Sequence, residues 1–346
     1  MPVPGRQLLR AALRNYSTRA DLRWRKIPSF EVLPATSERA VYYLTPHSDG
    51  PHGGIRVAFR HVDLLNAIGI RSAVLYPKGT RRPAWFESST PMVTADTVEF
   101  HADDILVVPE VYGPMLTALR DDIRVLIFNQ GAYITFNHVD LTTSHPGAPY
   151  STLSRFEGIM TVSEDSAELL GLAFPEAQID IARPVVDSSI FYADERPRSK
   201  TIAYVPTRRA DELHQVLHIL RARGTTWELR ALQGLTEKAV GEALRSTSIF
   251  LSLSERDGFG LPPAEAMACG NYVVGYHGGG GREFFDPAFS RTTTSTIDLI
   301  SALEQAMSAP LDLLARKGRA ASDSVLNAYS EDGLRDDLAR IYSRLI

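Results

Sequence analysis

Cysteine is nearly missing: the chain has one, Cys269, in 346 residues. An intrachain disulfide framework and a cysteine zinc cluster are therefore excluded, and a reducing, cytoplasmic setting is expected. An excess of one charge is missing too. Lys and Arg number 37 against 41 Asp and Glu, a net of −4. Nucleic-acid binders show a basic excess or stripe, so no nucleic-acid partner is expected. No apolar run approaches the ~18 residues of a membrane-spanning helix. The first strand is not followed by Gly-x-Gly-x-x-Gly, which counts against a dinucleotide dehydrogenase. No Asp-x-Asp pair stands where it could hold a metal, so neither a metal nor another cofactor is expected.

The start of the chain is not expected to act as a secretory signal, because arginines break its short apolar stretches. Residues 1–26 are basic, with Arg6, Arg10, Arg14, Arg19, Arg23, Arg25 and Lys26 against Asp21. Leu8, Leu9, Ala12 and Leu13 fall on one helical face. Two readings stay open: a surface helix touching anionic lipid on the cytoplasmic face of a membrane, or a loose or docked terminal extension.

What is present is an alternation of short apolar strands and amphipathic helices, which points to parallel α/β layers. The length suits two domains. In the first series, strands are expected at Ala40–Leu44, Ser72–Tyr76, Asp104–Val108, Arg124–Phe128, Gly158–Val162 and Ile179–Ala182. A second series begins near Thr201, with strands at Thr201–Val205, Trp227–Ala231, Ser248–Leu251 and Tyr272–Val274. The expected division is a basic extension at 1–37, a Rossmann-like domain at 38–186, a polar linker at 187–200, a second Rossmann-like domain at 201–330, and an amphipathic C-terminal helix at 331–346. That helix is suited to pack on either domain, the N-terminal one included. The crevice between two doubly wound domains is the default ligand site.

The most informative stretch runs from Leu251 to Phe285, LSLSERDGFGLPPAEAMACGNYVVGYHGGGGREFF. Gly258-Phe259-Gly260 reads as a loop between a buried strand and a helix, with glycines that permit close backbone approach. Leu261-Pro262-Pro263-Ala264-Glu265 opens the helix, proline at its favoured start. The amides of Phe259, Gly260, Leu261 and Ala264 can converge on one anion, aided by the helix dipole. Asp257 at the strand end, and Glu265 in the first turn, are suited to accept hydrogen bonds from sugar hydroxyls. A strand–turn–helix with a capping acid is the plain structural alternative.

The run Asp257-Gly258-Phe259-Gly260-Leu261-Pro262-Pro263-Ala264-Glu265-Ala266-Met267-Ala268-Cys269-Gly270 resembles the donor-binding signature of the family 4 retaining glycosyltransferases, the E-x7-E type. The resemblance implies a GT-B fold, two tandem doubly wound domains facing a crevice, and transfer of a hexosyl group from a nucleotide-diphosphate sugar with retention and without a metal. It implies that Glu265 holds the donor ribose, that Asp257 contacts the transferred sugar, and that the amides from Gly258 to Leu261 hold the distal phosphate. Asp257 is one methylene shorter than the family's glutamate, which leaves the sugar open. Glu255 stands two residues earlier.

Three other places are similar to the family. Gly53 and Gly54 follow the first strand and border, by resemblance, the donor phosphates and the acceptor. Arg208 and Arg209 follow the first strand of the second domain, where the family places a basic pair on the diphosphate. Their position at a helix start, where cations oppose the dipole, supports that role. Ile181 to Phe191 is similar to the family's interdomain passage, with Asp187 structural. On the acceptor side the candidates are Asn129, Gln130 and Tyr133 past one strand end and Glu110 past another, with His138 and His145 further on. The loop His277-Gly278-Gly279-Gly280-Gly281-Arg282-Glu283 is suited either to wrap a nucleotide or to act as a hinge. The expected acceptor is a glycan, a lipid-linked glycan or a small molecule, as in polysaccharide biosynthesis. Two rivals remain at this point: a GT-B-shaped nucleotide-sugar epimerase, which needs acid–base groups on both faces of the sugar, and a non-catalytic sugar-nucleotide-binding module.

Overall fold

The computed structural model describes residue 25, residues 27–48, residue 50 and residues 52–346. Apart from Arg25, the basic segment proposed to touch lipid lies outside the described residues. Among those residues, no helix is long and apolar enough to cross a membrane. The chain divides into two compact units. The first holds Met1–Thr161, Leu170–Asp180 and Leu338–Ile346; the second holds Val162–Leu169 and Ile181–Asp337.

The first unit is built on seven strands: β2 (Val41–Leu44), β3 (Ser72–Tyr76), β4 (Met92–Thr94), β6 (Ile105–Pro109), β7 (Arg124–Asn129), β8 (Arg155–Thr161) and β9 (Ile179–Ile181). Their order is β4-β3-β2-β6-β7-β8-β9. Strands β1 (Val32–Leu33) and β5 (Phe100–His101) form a separate parallel pair. From β2 the chain steps outward to β3 and β4, then returns to the other side of β2 as β6. Loops that leave β2 and β6 therefore part at a topological switch point. Val41–Leu44 and Ile105–Val108 are wholly buried, as expected of parallel strands covered on both faces. Helix α1 (Gly53–Ala67) lays Ile55, Phe59, Val62 and Leu65 on the sheet.

The C-terminal residues pack within this first unit. The Tyr43 hydroxyl lies 2.9 Å from that of Tyr342 and 3.1 Å from His61 Nδ1, all three side chains buried. Burial alone lowers the His61 imidazole to about 3, so it stays neutral in the core. Asp180 receives Arg340 and Arg344, and Arg124 donates to the Leu345 carbonyl.

The second unit has five parallel strands: β10 (Ser199–Tyr204), β11 (Glu228–Ala231), β12 (Thr247–Asp257), β13 (Tyr272–Gly279) and β14 (Ser290–Thr292), in the order β11-β10-β12-β13-β14. Here the switch point falls between β10 and β12. Helix α2 (Glu164–Ala173) follows β8 and contributes its first residues to this unit. The other helices are α3 (Ala210–Ala222), α4 (Glu237–Arg245), α5 (Leu261–Ala268), α6 (Thr296–Ser308), α7 (Leu311–Ala328) and α8 (Glu331–Tyr342). Thr236 and Ser295 cap α4 and α6 by accepting the amides of Ala239 and Asp298, each cap worth about 1 kcal/mol.

The apolar pattern foretold most of these elements, and two differences bear on the site. Strand β12 continues to Asp257, well past the expected end at Leu251, because it stays paired with β13 as far as Asp257 opposite Gly279. Glu255 and Arg256 near its end are polar and exposed and Ser252, Ser254 and Asp257 are polar, so periodicity does not reveal the extension. The short strands β1, β4, β5 and β14 lie outside the expected set.

Candidate functional site

The two strand ends beside the switch point of the second unit carry the expected charged residues. Arg208 follows β10 and Asp257 ends β12. Arg208 Nη2 sits 2.9 Å from Asp257 Oδ1, the arginine half exposed and the carboxylate nearly buried. Burial raises the Asp257 carboxyl, and the Arg208 charge opposes that rise. A recess at this point is lined by Val205, Arg208, Ser252, Ser254, Asp257 and Pro262, among others.

Arg209 has different partners from its neighbour. It stands in the left-handed region at φ 41°, just before α3. Its guanidinium lies 4.1 Å over the Tyr276 ring and pairs with Glu212 at 3.2 Å. Glu212 also accepts from the Tyr276 and Thr296 hydroxyls. Burial and Glu212 together push the Tyr276 phenol up to about 12. At a helix start both arginines are cations in need of an anion. For Arg209 the protein supplies one internally, three residues on. Tyr276 and Glu212 were not singled out from sequence, although Glu at i+3 from a helix-start Arg is a readable pairing signal.

The loop from Gly258 to Gly260 is held from several sides. The Gly258 carbonyl accepts the Ser163 hydroxyl at 2.5 Å and the Ser166 hydroxyl at 3.2 Å. The Phe259 ring is buried against Phe284 and Tyr329, with centroids 5.1 and 4.7 Å away. Gly260 takes φ 97° as the residue before α5, a conformation that side chains other than glycine rarely adopt. A Cβ on Gly280 would meet the Gly258 carbonyl oxygen at 2.1 Å. Only glycine lets these two loops lie together.

Two details of the expected anion site change. The Ala264 amide donates to the Gly260 carbonyl inside the helix, which leaves the earlier amides as the donors for an external anion. Glu265 is the fifth residue of α5, and the first turn holds no acid. It therefore sits one step past the turn expected for it, half-buried on the helix.

The glycine run Gly278–Gly281 spans the end of β13 and the turn after it. His277 to Gly279 extend the strand, and Gly280–Glu283 is a 3-10 turn. Glu283 accepts the Glu164 amide at 2.9 Å and the Tyr329 hydroxyl at 3.0 Å. Burial raises its carboxyl against those two bonds. Cys269 is buried at the end of α5, and burial pushes its thiol up to about 12, so it is an inert core residue.

In the first unit, the acceptor-side candidates separate. Gly53 and Gly54 open α1, and the Gly54 carbonyl accepts Gln130 Nε2 at 3.1 Å. The Gln130 amide donates to Glu110 Oε2 at 3.2 Å. Gly54, Glu110 and Gln130 therefore meet where the loops after β2, β6 and β7 leave the sheet. Glu110 is 5% exposed, and burial pushes its carboxyl up to about 7. Asn129 is wholly buried; its amide donates to Thr135 and accepts from Gly131. It shapes the loop and is not an amide open to a sugar hydroxyl. Tyr133 lies on the exposed 3-10 turn Ala132–Ile134. His138 and His145 are on exposed loops, with His145 against Ser151. Among the described residues, no group of three or more His, Cys, Asp or Glu is placed to hold a metal.

With this geometry in view, residues 210–321 match the family model described as glycosyl transferases group 1. The matched stretch lies within the second unit. It includes α3, the Asp257–Glu265 run and the glycine-rich turn. Over 234 residues, 65% of this chain and 69% of the relative, the sequence is 26% identical to an alpha-1,6-glucosyltransferase of Actinobacillus pleuropneumoniae serotype 7. The fold is similar to sucrose-phosphate synthase from Thermosynechococcus elongatus, at TM-score 0.67 and 11% identity over 89% of this chain and 99% of that one. It is also similar to HepE of Anabaena, solved with UDP and glucose, at TM-score 0.62 and 10% identity over 88% of this chain and 100% of that one. The architecture is thus GT-B, with two doubly wound parallel sheets.

Proposed function

We propose that this glycosyltransferase is a retaining, metal-independent enzyme of the family 4 type, moving a hexosyl group from a nucleotide-diphosphate sugar to a hydroxyl of a glycan or glycan-lipid acceptor. A UDP-hexose is the donor we favour, and glucose the first sugar to test, in keeping with the names of the alpha-1,6-glucosyltransferase relative and of the UDP-bound HepE neighbour. The observation that carries this reading is the Arg208–Asp257 pair beside the Gly258–Leu261 turn. A cation, a row of free helix-start amides and a carboxylate stand at one switch point.

Each group has a task the chemistry requires. The bond from the sugar to the diphosphate breaks only if the leaving charge is stabilised. Preorganised donors do this best, because they need no reorganisation at the moment of reaction. The Phe259, Gly260 and Leu261 amides and the Arg208 guanidinium supply that stabilisation to the distal phosphate. Asp257 accepts from a hydroxyl of the transferred sugar while sharing Arg208. Glu265 accepts from the ribose hydroxyls. Arg209 acts on the diphosphate through position: held by Glu212 and Tyr276, it fixes the backbone that presents Arg208. No protein carboxylate serves as nucleophile in this scheme. The leaving phosphate oxygen takes the proton of the acceptor hydroxyl on the same face of the sugar, which yields retention.

The test is direct. The chain is incubated with UDP-glucose and a panel of glycan and glycolipid acceptors, and the product's anomeric configuration is read by proton NMR. An α-linked product from the α-linked donor supports the proposal. A β-linked product would overturn retention. Isomerised donor without transfer would favour an epimerase.

A further inference from the structure

On helix α3, His214 and His218 stand one turn apart, both exposed. Their Nε2 atoms are 3.1 Å from each other. The ring centroids are 4.3 Å apart and the planes cross at 64°. An in-line N–H···N hydrogen bond, which prefers angles above about 150°, would hold the centroids about 5.4 Å apart. At 4.3 Å the centroids are closer than that, so the two Nε2 atoms approach without meeting head-on.

The spacing fits a metal ion. Metal–imidazole bonds of about 2.0–2.1 Å at angles between square and tetrahedral put the two nitrogens roughly 2.9–3.4 Å apart. The observed 3.1 Å falls inside that window. Residues at i and i+4 of a helix share a face, so a regular α3 presets the bite, and little ordering is needed on binding. Among the described residues, each imidazole meets the other and no further hydrogen-bond partner, and neither lies in the proposed transfer site.

We propose that His214 and His218 form a surface site for a divalent transition ion that prefers imidazole, Zn²⁺, Ni²⁺ or Cu²⁺, with water completing the coordination. Two protein ligands make a moderate site, and Cu²⁺ should bind most tightly of the three by the general affinity order. The site is independent of the sugar-transfer proposal and takes no step in it.

The experiment uses the full chain without a polyhistidine tag. Calorimetry with CuSO₄ and with ZnCl₂ is combined with electron paramagnetic resonance of the copper-loaded protein. Wild type should bind one Cu²⁺ with moderate affinity and with hyperfine splitting from two equivalent nitrogens. His214→Ala and His218→Ala should each weaken that binding roughly 10–100-fold, since losing a ligand costs at least as much as losing an outer partner of one. His145→Ala, on an exposed loop elsewhere, should leave it unchanged. Circular dichroism verifies that each variant is folded, which exposed helix positions favour. Copper binding that persists unchanged in the double variant, or that shows one nitrogen only, would overturn the proposal.

Discussion

Arg208 and Asp257 are 49 positions apart by their numbers, yet their charged groups meet at 2.9 Å. They meet because β10 and β12 are adjacent in the sheet and both strands end on the same side, at the point where the chain reverses its stepping direction. Half of Arg208 remains exposed, so it can turn part of its five-donor fork toward a phosphate while keeping Asp257. Arg208→Ala should lower kcat/KM roughly 10²-fold or more, as for other lost charge-stabilising groups. Arg208→Lys should restore only part, since an ammonium cannot serve both partners in a fixed plane. Steady-state kinetics with the donor varied decides this.

Glu265→Gln should weaken donor binding more than it lowers kcat. The ribose contact is made in both ground and transition states, and uniform binding appears in KM. An equal loss in kcat and kcat/KM would place Glu265 at the reacting centre.

Glu110 gives a prediction with a sign. Its folded carboxyl is raised to about 7 from the ordinary 4.5, chiefly by burial. The folded state therefore holds the proton more tightly than the unfolded chain. The stability this contributes is full below about 4.5 and is lost as pH rises through about 7, at most about 3 kcal/mol in all. Glu110→Gln keeps an acceptor for the Gln130 amide and removes the titration. Its melting temperature relative to wild type should therefore rise between pH 5 and pH 8. A constant difference would mean that Glu110 is solvated.

Two glycines give a matched pair for stability. A Cβ at Gly318 on α7 would lie 1.9 Å from the Gly270 carbonyl oxygen, just past the end of α5. Gly318→Ala should cost at least the ~1–3 kcal/mol of overpacking and shift α7 away from α5. A Cβ at Gly333, on α8, meets nothing closer than 3.4 Å. Gly333→Ala should be neutral or stabilising by up to about 1 kcal/mol. Thermal melts of both variants test the packing directly.

The scheme stabilises the leaving group with Arg208 and backbone amides, so transfer should survive EDTA and gain little from added Mg²⁺ or Mn²⁺. Loss of activity on chelation, restored by one cation, would assign that stabilisation to a metal.

Much of this was legible in the sequence because the informative residues are local. Asp257 to Gly270 is one ordered run, and its strand, turn and helix follow from the apolar positions and from prolines at the helix start. The parallel strands read as short buried runs, Val41–Leu44 and Ile105–Val108 among them. The illegible part is what depends on distant residues. Nothing near Gly258 in sequence announces that Ser163 and Ser166 will bind its carbonyl, although serine before Glu164-Asp165 is a readable cap. Arg208 and Arg209 look alike as neighbours; only the fold brings Tyr276 under one and Asp257 against the other. Asn129 and Gln130 are likewise adjacent amides with opposite fates, one sealed in the loop and one bridging Glu110 and Gly54.

The central claim is that a diphosphate rests on the amides that begin α5 and is gripped by Arg208. A crystal structure of the chain grown with UDP measures this most directly. The account predicts the distal phosphate within about 3 Å of the Gly260 or Leu261 amide and of the Arg208 guanidinium, with Glu265 on the ribose. Phosphates bound away from that turn, with Arg208 still paired to Asp257 alone, would contradict it.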